Sequence, residues 1–189
     1  LTESSHLRRV NQGGFTMVEL MAVVVITAIL SVAGVAVFRR YIFSAKGGEA
    51  LATLQAIRAA EEAYMAENHI YLNVSSAPPG LKGPNWYPNV TPNTTRYAWP
   101  GPANHPDQAN WLILAPAINH SVQFGYLANS GQAGDTIPAP QTTGQPAFPT
   151  PLQNWYLLQA EGDTDGNGVY ANYASTSMTG EIYSEREGE

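Results

Sequence analysis

The chain has no cysteine. Disulfide staples, thiolate nucleophiles and zinc–thiolate sites are therefore excluded outright. Charge is scarce: 13% of residues are Asp, Glu, Lys or Arg, about half the usual share. Asn, Gln, Thr, Ser, Gly and Pro stand in their place, which suits an extracellular or assembled surface better than a cytosolic enzyme. The balance is acidic, with a formal net charge of −6. Such a chain has no general attraction for phosphate, which argues against nucleic acid as a partner. His6, His69, His105 and His120 show no metal-ligand spacing, and no G-x-S-x-G, Walker or dinucleotide pattern occurs. His105 and His120 fall in loop-like sequence and are expected to be solvated. No catalytic residue is assigned, and the chain is read as not an enzyme.

Polarity is missing from one long stretch. Between Phe15 and Phe38 only Thr16, Glu19, Thr27 and Ser31 carry polar side chains, and no proline interrupts. As a helix this run is about 36 Å long at ~1.5 Å per residue, enough to cross a hydrocarbon core of ~30 Å. Glu19 is out of place there. An acidic side chain at the centre of a membrane helix costs ~2.5–3.5 kcal/mol on insertion scales, and an ionisable residue in such a segment is functional by default. The carboxylate needs a partner.

The run opens with Gly13-Gly14-Phe15-Thr16-Met17-Val18-Glu19-Leu20, preceded by Arg8 and Arg9. This pattern resembles the N-terminus of a type IV pilin precursor: a basic leader ending in Gly, then Phe, then a carboxylate at the fifth residue of an apolar helix. The resemblance implies that a membrane prepilin peptidase cuts after Gly14. Phe15 then becomes the N-methylated mature terminus. It also implies a role for Glu19, since the new ammonium and a carboxylate in low dielectric compensate each other only when close. In an assembly the ammonium of an incoming subunit meets Glu19 of its neighbour and sets the axial register. The implied partners are the peptidase, other pilin subunits and an inner-membrane assembly platform. The implied location is the bacterial inner membrane as a single-pass precursor, then an extracellular or periplasmic filament.

The chain also departs from that family. Pilins commonly hold a Gly within the apolar run and a Pro near its end, where Ala28 and Ala36 stand here. Without that Pro, local melting of the helix is not expected, although Gly34 loosens it by about 1 kcal/mol relative to Ala. Many pilins close a C-terminal loop with a disulfide, and this chain cannot. Two other fates fit the N-terminal segment. One is a secretory signal cut near Ser31-Val32-Ala33, and the other is an uncleaved anchor. Arg8 and Arg9 on one side and Arg39 and Arg40 on the other nearly tie the positive-inside count.

The expected organisation is a leader at 1–14, a transmembrane and assembly helix at 15–38, a soluble half of that helix and its end at 39–73, and a globular head at 74–189. Ala50, Leu54, Ile57, Ala60 and Tyr64 form one apolar stripe expected to pack on the chain's own sheet. Arg58 and Glu62 are spaced for an i,i+4 ion pair. Gly47-Gly48 is a candidate bend, and helical pattern fades at Asn68-His69. Residues 74–110 are turn-rich, with Trp86, Tyr87, Tyr97 and Trp99 expected to pin the loop to the head or, alternatively, to offer a carbohydrate-stacking surface. Residues 111–114 read as a short strand or a helical turn. Strands are expected over 122–126, 155–160, 169–174 and 181–184, with loop over 129–153. Short connections after 155 make the sheet antiparallel. The expected class is α+β: a long N-terminal helix on a small antiparallel sheet, pilin-like.

Asp163-Thr164-Asp165-Gly166-Asn167-Gly168 matches the first half of a calcium loop. Asp163, Asp165 and Asn167 are candidate ligands, with Glu161 replacing the acidic residue missing at position twelve. A hairpin turn uses the same residues for their backbone freedom. The overall expectation is a structural subunit, major or minor, of a type IV pilus. The alternatives are a type II secretion pseudopilin and, from another class, a secreted or anchored binding module.

Overall fold

A computed structural model describes residues 14–76, 85–142 and 148–187. The chain divides into two compact units, Leu1–Arg39 and Arg40–Glu189. Helix α1 (Met17–Asn68) contributes to both. The second unit adds helix α2 (Gln108–Leu114) and strands β1 (Gly125–Gly131), β2 (Trp155–Gly162), β3 (Ala171–Thr176) and β4 (Ile182–Glu185). The strands form one sheet in the order β1-β2-β3-β4, every neighbour antiparallel. The class is α+β, as the sequence implies.

The apolar stripe of α1 lies where its spacing puts it. Ala50, Leu54 and Ile57 are fully buried, and Ala60 and Tyr64 pack at the margin of the same core. Their counterparts on the sheet are Tyr126, Ala128, Tyr156, Leu158, Ala160 and Tyr173. Period-2 alternation selects these residues on each strand. α1 stays helical through Gly47 and Gly48. A Cβ on Gly47 would stand 2.7 Å from the Tyr173 hydroxyl oxygen, so the missing side chain lets helix and sheet approach closely. α1 ends at His69, whose φ of 61° is left-handed and whose N–H bonds Met65 O at 2.9 Å, a C-terminal αL cap.

Part of the other face of the sheet is covered by loops. Ile137 and Phe148 pack on Trp155 and Leu157. The free edge of β1 is also closed. Val74 and Ser75 donate their N–H groups to Ala128 O, and Tyr87 exchanges both backbone bonds with Tyr126. A covered edge removes the template for unwanted strand pairing.

Several expectations shift on this frame. Residues 111–114 are helical, within α2. The strand expected over 122–126 is displaced. Val122 forms only an isolated bridge with Tyr97, the Gln123 N–H is taken by Glu49 of α1 at 2.6 Å, and the ladder starts at Gly125. That ladder continues to Gly131, inside the segment read as loop. β3 starts at Ala171 rather than 169, after Gly168 and the turn before it. Arg58 does not pair with Glu62. Its guanidinium donates to Gly180 O at 3.0 Å, while Glu62 accepts the Tyr71 hydroxyl. His105 is buried rather than solvated: its ring sits edge-on to Tyr87, with Nδ1 accepting from Asp107 N–H and Nε2 facing Trp86 O at 3.1 Å. His120 is exposed. Trp86 and Tyr87 are buried and Trp99 is half-buried against Tyr87 and Trp111, so these aromatics anchor the loop instead of forming a stacking surface. The turn signals at 78–80 and at 83–84 lie outside the described residues.

One buried charge stands out on α1. Glu61 is fully buried, with Oε2 accepting the Leu72 N–H at 3.0 Å and Oε1 unpartnered. Desolvation pushes its carboxyl up to about 8, against the Leu72 bond that favours the anion; Glu62 adds repulsion. The folded state then holds a proton that the unfolded chain releases near 4.5, so stability falls as pH rises from about 4.5 to 8. The loss has an upper bound of about 5 kcal/mol, at 1.36 kcal/mol per pKa unit. Glu61→Gln should flatten this slope and raise the melting midpoint at pH 8 but not at pH 4, as thermal unfolding across that range would read.

Candidate functional site

The first described residue is Gly14, and Phe15 beside it is 85% exposed. The remainder of the expected leader, residues 1–13, lies outside the described residues. Thr16 is the residue before α1, and Glu19 is the third residue of the helix. Thr16 donates its N–H to Glu19 Oε2 at 2.9 Å and its hydroxyl to the same oxygen at 2.8 Å. In return the Glu19 N–H reaches Thr16 Oγ1 at 3.2 Å. This is a capping box, in which side chains at the ends of a T-x-x-E unit satisfy each other's orphan N–H groups. The T-x-x-E spacing stands in plain view at 16–19, ahead of an apolar run. The charge of Glu19 draws attention in the sequence, and its capping role goes unread there.

Beyond the cap, Met17–Val35 is apolar enough to cross a membrane, with a mean hydropathy of 2.4, and none of it is buried within the chain. Its two hydroxyl residues are internally satisfied. Thr27 Oγ1 donates to Val23 O at 2.9 Å or Val24 O at 3.0 Å, and Ser31 Oγ to Thr27 O at 2.7 Å. A hydroxyl folded back on its own helix presents no unmet donor to an apolar neighbour. The surface offered outward is therefore hydrocarbon on every side, with Glu19 held at its start.

The second candidate cluster sits between β2 and β3. Asp163 and Thr164 are buried, and Asp165 and Asn167 are exposed. Asp163 Oδ1 accepts from Gly166 N–H at 2.7 Å and Oδ2 from Gly168 N–H at 3.0 Å. Asp165 accepts from both the backbone and side-chain nitrogens of Asn167, whose Oδ1 takes the Val169 N–H at 2.6 Å. Gly166 and Gly168 have φ of 80° and 82°, which explains why glycine is there. Each side-chain oxygen therefore already closes the turn. Glu161 stands on β2 opposite Asn172, on the sheet face away from α1. Among the described residues, no group of three or more His, Asp or Glu side chains is arranged to hold a metal.

Residues 9–35 match the family model of the prokaryotic N-terminal methylation motif. That motif is the leader motif of type IV pilins and pseudopilins. No curated protein and no solved structure matches the chain. The motif implies cutting by a prepilin peptidase and assembly into filaments, and Met17–Val35 is long and apolar enough to anchor a precursor in a membrane.

The capping box carries its own test. Thr16→Ala removes both side-chain bonds, at a cost of about 1 kcal/mol to the first turn. Amides of that turn should exchange roughly fivefold faster in detergent micelles, whereas Thr16→Ser should leave them near the parent rate.

Proposed function

We propose that the chain is a subunit of a type IV pilus, cut between Gly14 and Phe15, N-methylated on Phe15, and assembled through α1. The observation that carries this is the pairing of the leader motif with a helix whose apolar surface is left bare among the described residues. Covering it in a filament core replaces lipid with neighbouring helices of the same character. Glu19 serves this route in two stages. In the precursor both Thr16 bonds fall on Oε2. After the cut an ammonium appears at Phe15, and Oε1 is the oxygen able to take one from a neighbour. Charge-assisted bonds of this kind are roughly twice as strong as neutral ones, and the apolar surroundings penalise any arrangement that leaves either charge alone.

The N-terminal peptide of protein recovered from membranes or sheared filaments should have the mass of one beginning at N-methyl-Phe15. A start at Gly34 would mean an ordinary secreted domain. Glu19→Ala should be processed normally yet fail to enter filaments, and normal assembly of that variant would remove its proposed role.

A type II secretion pseudopilin is the alternative on the same motif, and surface filaments lost on deletion of the protein would distinguish the pilus. Calcium at Asp163, Asp165 and Asn167, with Glu161, is a secondary proposal supported by the D-x-D-x-N-G order alone. A calcium shell takes 6–8 oxygens, and here the side-chain oxygens already accept the loop's N–H groups. A calcium titration raising the melting midpoint in the parent but not in Asp165→Ala would support it; no shift would end it.

A further inference from the structure

The most exposed large apolar side chain among the described residues belongs to the head: Leu152 is 93% exposed. A lone surface leucine is ordinary, but this one is mounted. Pro151 beside it is buried, and the Pro151 carbonyl takes the Gly134 N–H at 2.8 Å. Pro149 and Pro151 fix their own φ. The segment that carries the knob is therefore ordered in advance, and covering it costs little further freedom.

The same chain holds a hole. On the sheet face turned away from α1 lies a cavity of about 750 Å³, beside the cross-strand pair Glu161 and Asn172. Val90, Ala139 and Val169 line it from three different loops, and all three are apolar and exposed. Arg186 is the one cation among its described lining residues.

Knob and hole stand at opposite ends of the sheet. Leu152 comes just before Trp155, where β2 starts, and Asn154 Nδ2 donates to His69 O at the end of α1. The cavity reaches Glu161, near the end of β2, and Asn172, the neighbour of Tyr173. Tyr173 faces Gly47, toward the start of the packed half of α1. From Trp155 to Glu161 a strand covers about 20 Å at ~3.4 Å per residue. The line from hole to knob therefore runs along the packed half of α1. Two unlike patches so placed meet head to tail between copies, and such a contact repeats along an open filament unless its rotation closes a ring.

Charge agrees with this arrangement. The chain is acidic, at −6, so copies repel each other except where charge is absent or opposite. Residues 148–153 carry none. Asp135 stands beside the knob, next to the Gly134 that bonds Pro151. At the hole, Arg186 lies 3.4 Å from Glu185 and keeps 47% of its side chain exposed.

We propose that Leu152 of one copy seats in this cavity of the next, with Asp135 facing Arg186 across the contact. The inference rests on the filament reading for its direction, since helices gathered in a core share one axis, and it names what holds the heads in line. The absence of cysteine makes cross-linking specific. Cells making the full chain with Leu152→Cys and Val169→Cys are treated with a short bis-maleimide, and membrane and sheared fractions are run on denaturing gels. Both positions are exposed, at 93% and 37%, so neither substitution disturbs the core. A ladder of dimers, trimers and higher species should appear, about tenfold or more above either single variant. Arg186→Glu added to the pair should weaken the ladder severalfold, and Asp135→Lys added as well should restore it. Dimers alone would mean a closed two-fold contact. Monomers alone, with or without filaments on the cell surface, would mean no contact here, and either result overturns the proposal. A ladder without visible filaments would support the contact and count against the pilus.

Discussion

A helix that is hydrocarbon on every side cannot be left in water, and among the described residues nothing covers Met17–Val35. That is the constraint on which the rest depends. An amphipathic helix buries one stripe and shows the other to solvent. The second half of α1 does this, with Ala50, Leu54 and Ile57 against the sheet. The first half has no second face to show. Its cover must be lipid or other helices, and each fits a different stage in the life of a filament subunit. The back-bonded hydroxyls of Thr27 and Ser31 suit both environments, because neither asks its neighbour for a partner.

The head meets a different demand: it must hold long, irregular loops without a disulfide. It does so by tying them to α1 and to one another. Glu49 is the central tie. Its carboxylate takes the Gln123 N–H and the Arg96 guanidinium, and Arg96 in turn reaches Ser121 O at 2.8 Å. Lys46, less than one helical turn earlier, donates to Thr164 O at 2.6 Å and fixes the acidic turn. Between these polar ties stands an aromatic cluster in which Tyr87 meets Trp99, His105 and Trp111, with ring centroids 4.9, 5.0 and 5.2 Å away. Aromatic pairs of this geometry contribute ~0.5–1.5 kcal/mol each beyond their area. Long loops are usually the least anchored part of a domain. Here the ones that cross the sheet are set by contacts distant in sequence, and this lets them wall a cavity.

What the sequence disclosed followed from how local each signal is. The extent of α1 was legible because its apolar run and stripe persist over many turns, and its end was legible because the pattern stops at Asn68-His69. Antiparallel order after Trp155 followed from short connections. The start of β1 was not legible. Val122 and Phe124 alternate like a strand, but the Gln123 N–H is claimed by Glu49, a residue 74 positions away. The close approach at Gly47 was hidden too: the residue it makes room for is Tyr173 on β3. The burial of His105 was hidden for a similar reason, since Trp86 and Asp107 supply its partners through the fold. In the candidate site, Glu19 was legible as a carboxylate in need of a partner, but its bonds to Thr16 were not. The pairing of Glu161 with Asn172 was not, because the two meet only through strand register.

Glu19 shows how one residue can satisfy two requirements that pull in opposite directions. A carboxylate at the head of a membrane helix is a liability while it has no donor. The capping box supplies donors from Thr16 at once, before any partner is met, and closes the first turn with the same bonds. On the proposed route, cleavage then places a positive charge one residue ahead of Thr16. The helix itself need not move. What changes is the electrostatic state of its start, from a capped carboxylate that is locally satisfied to a carboxylate and an ammonium that both gain from a neighbour in low dielectric. A Gln at this position would preserve much of the cap while carrying no charge. The cap accounts for an oxygen acceptor at 19, and a carboxylate in the first turn also gains from the positive end of the helix; on the proposed route the same charge gains again from a neighbour's ammonium.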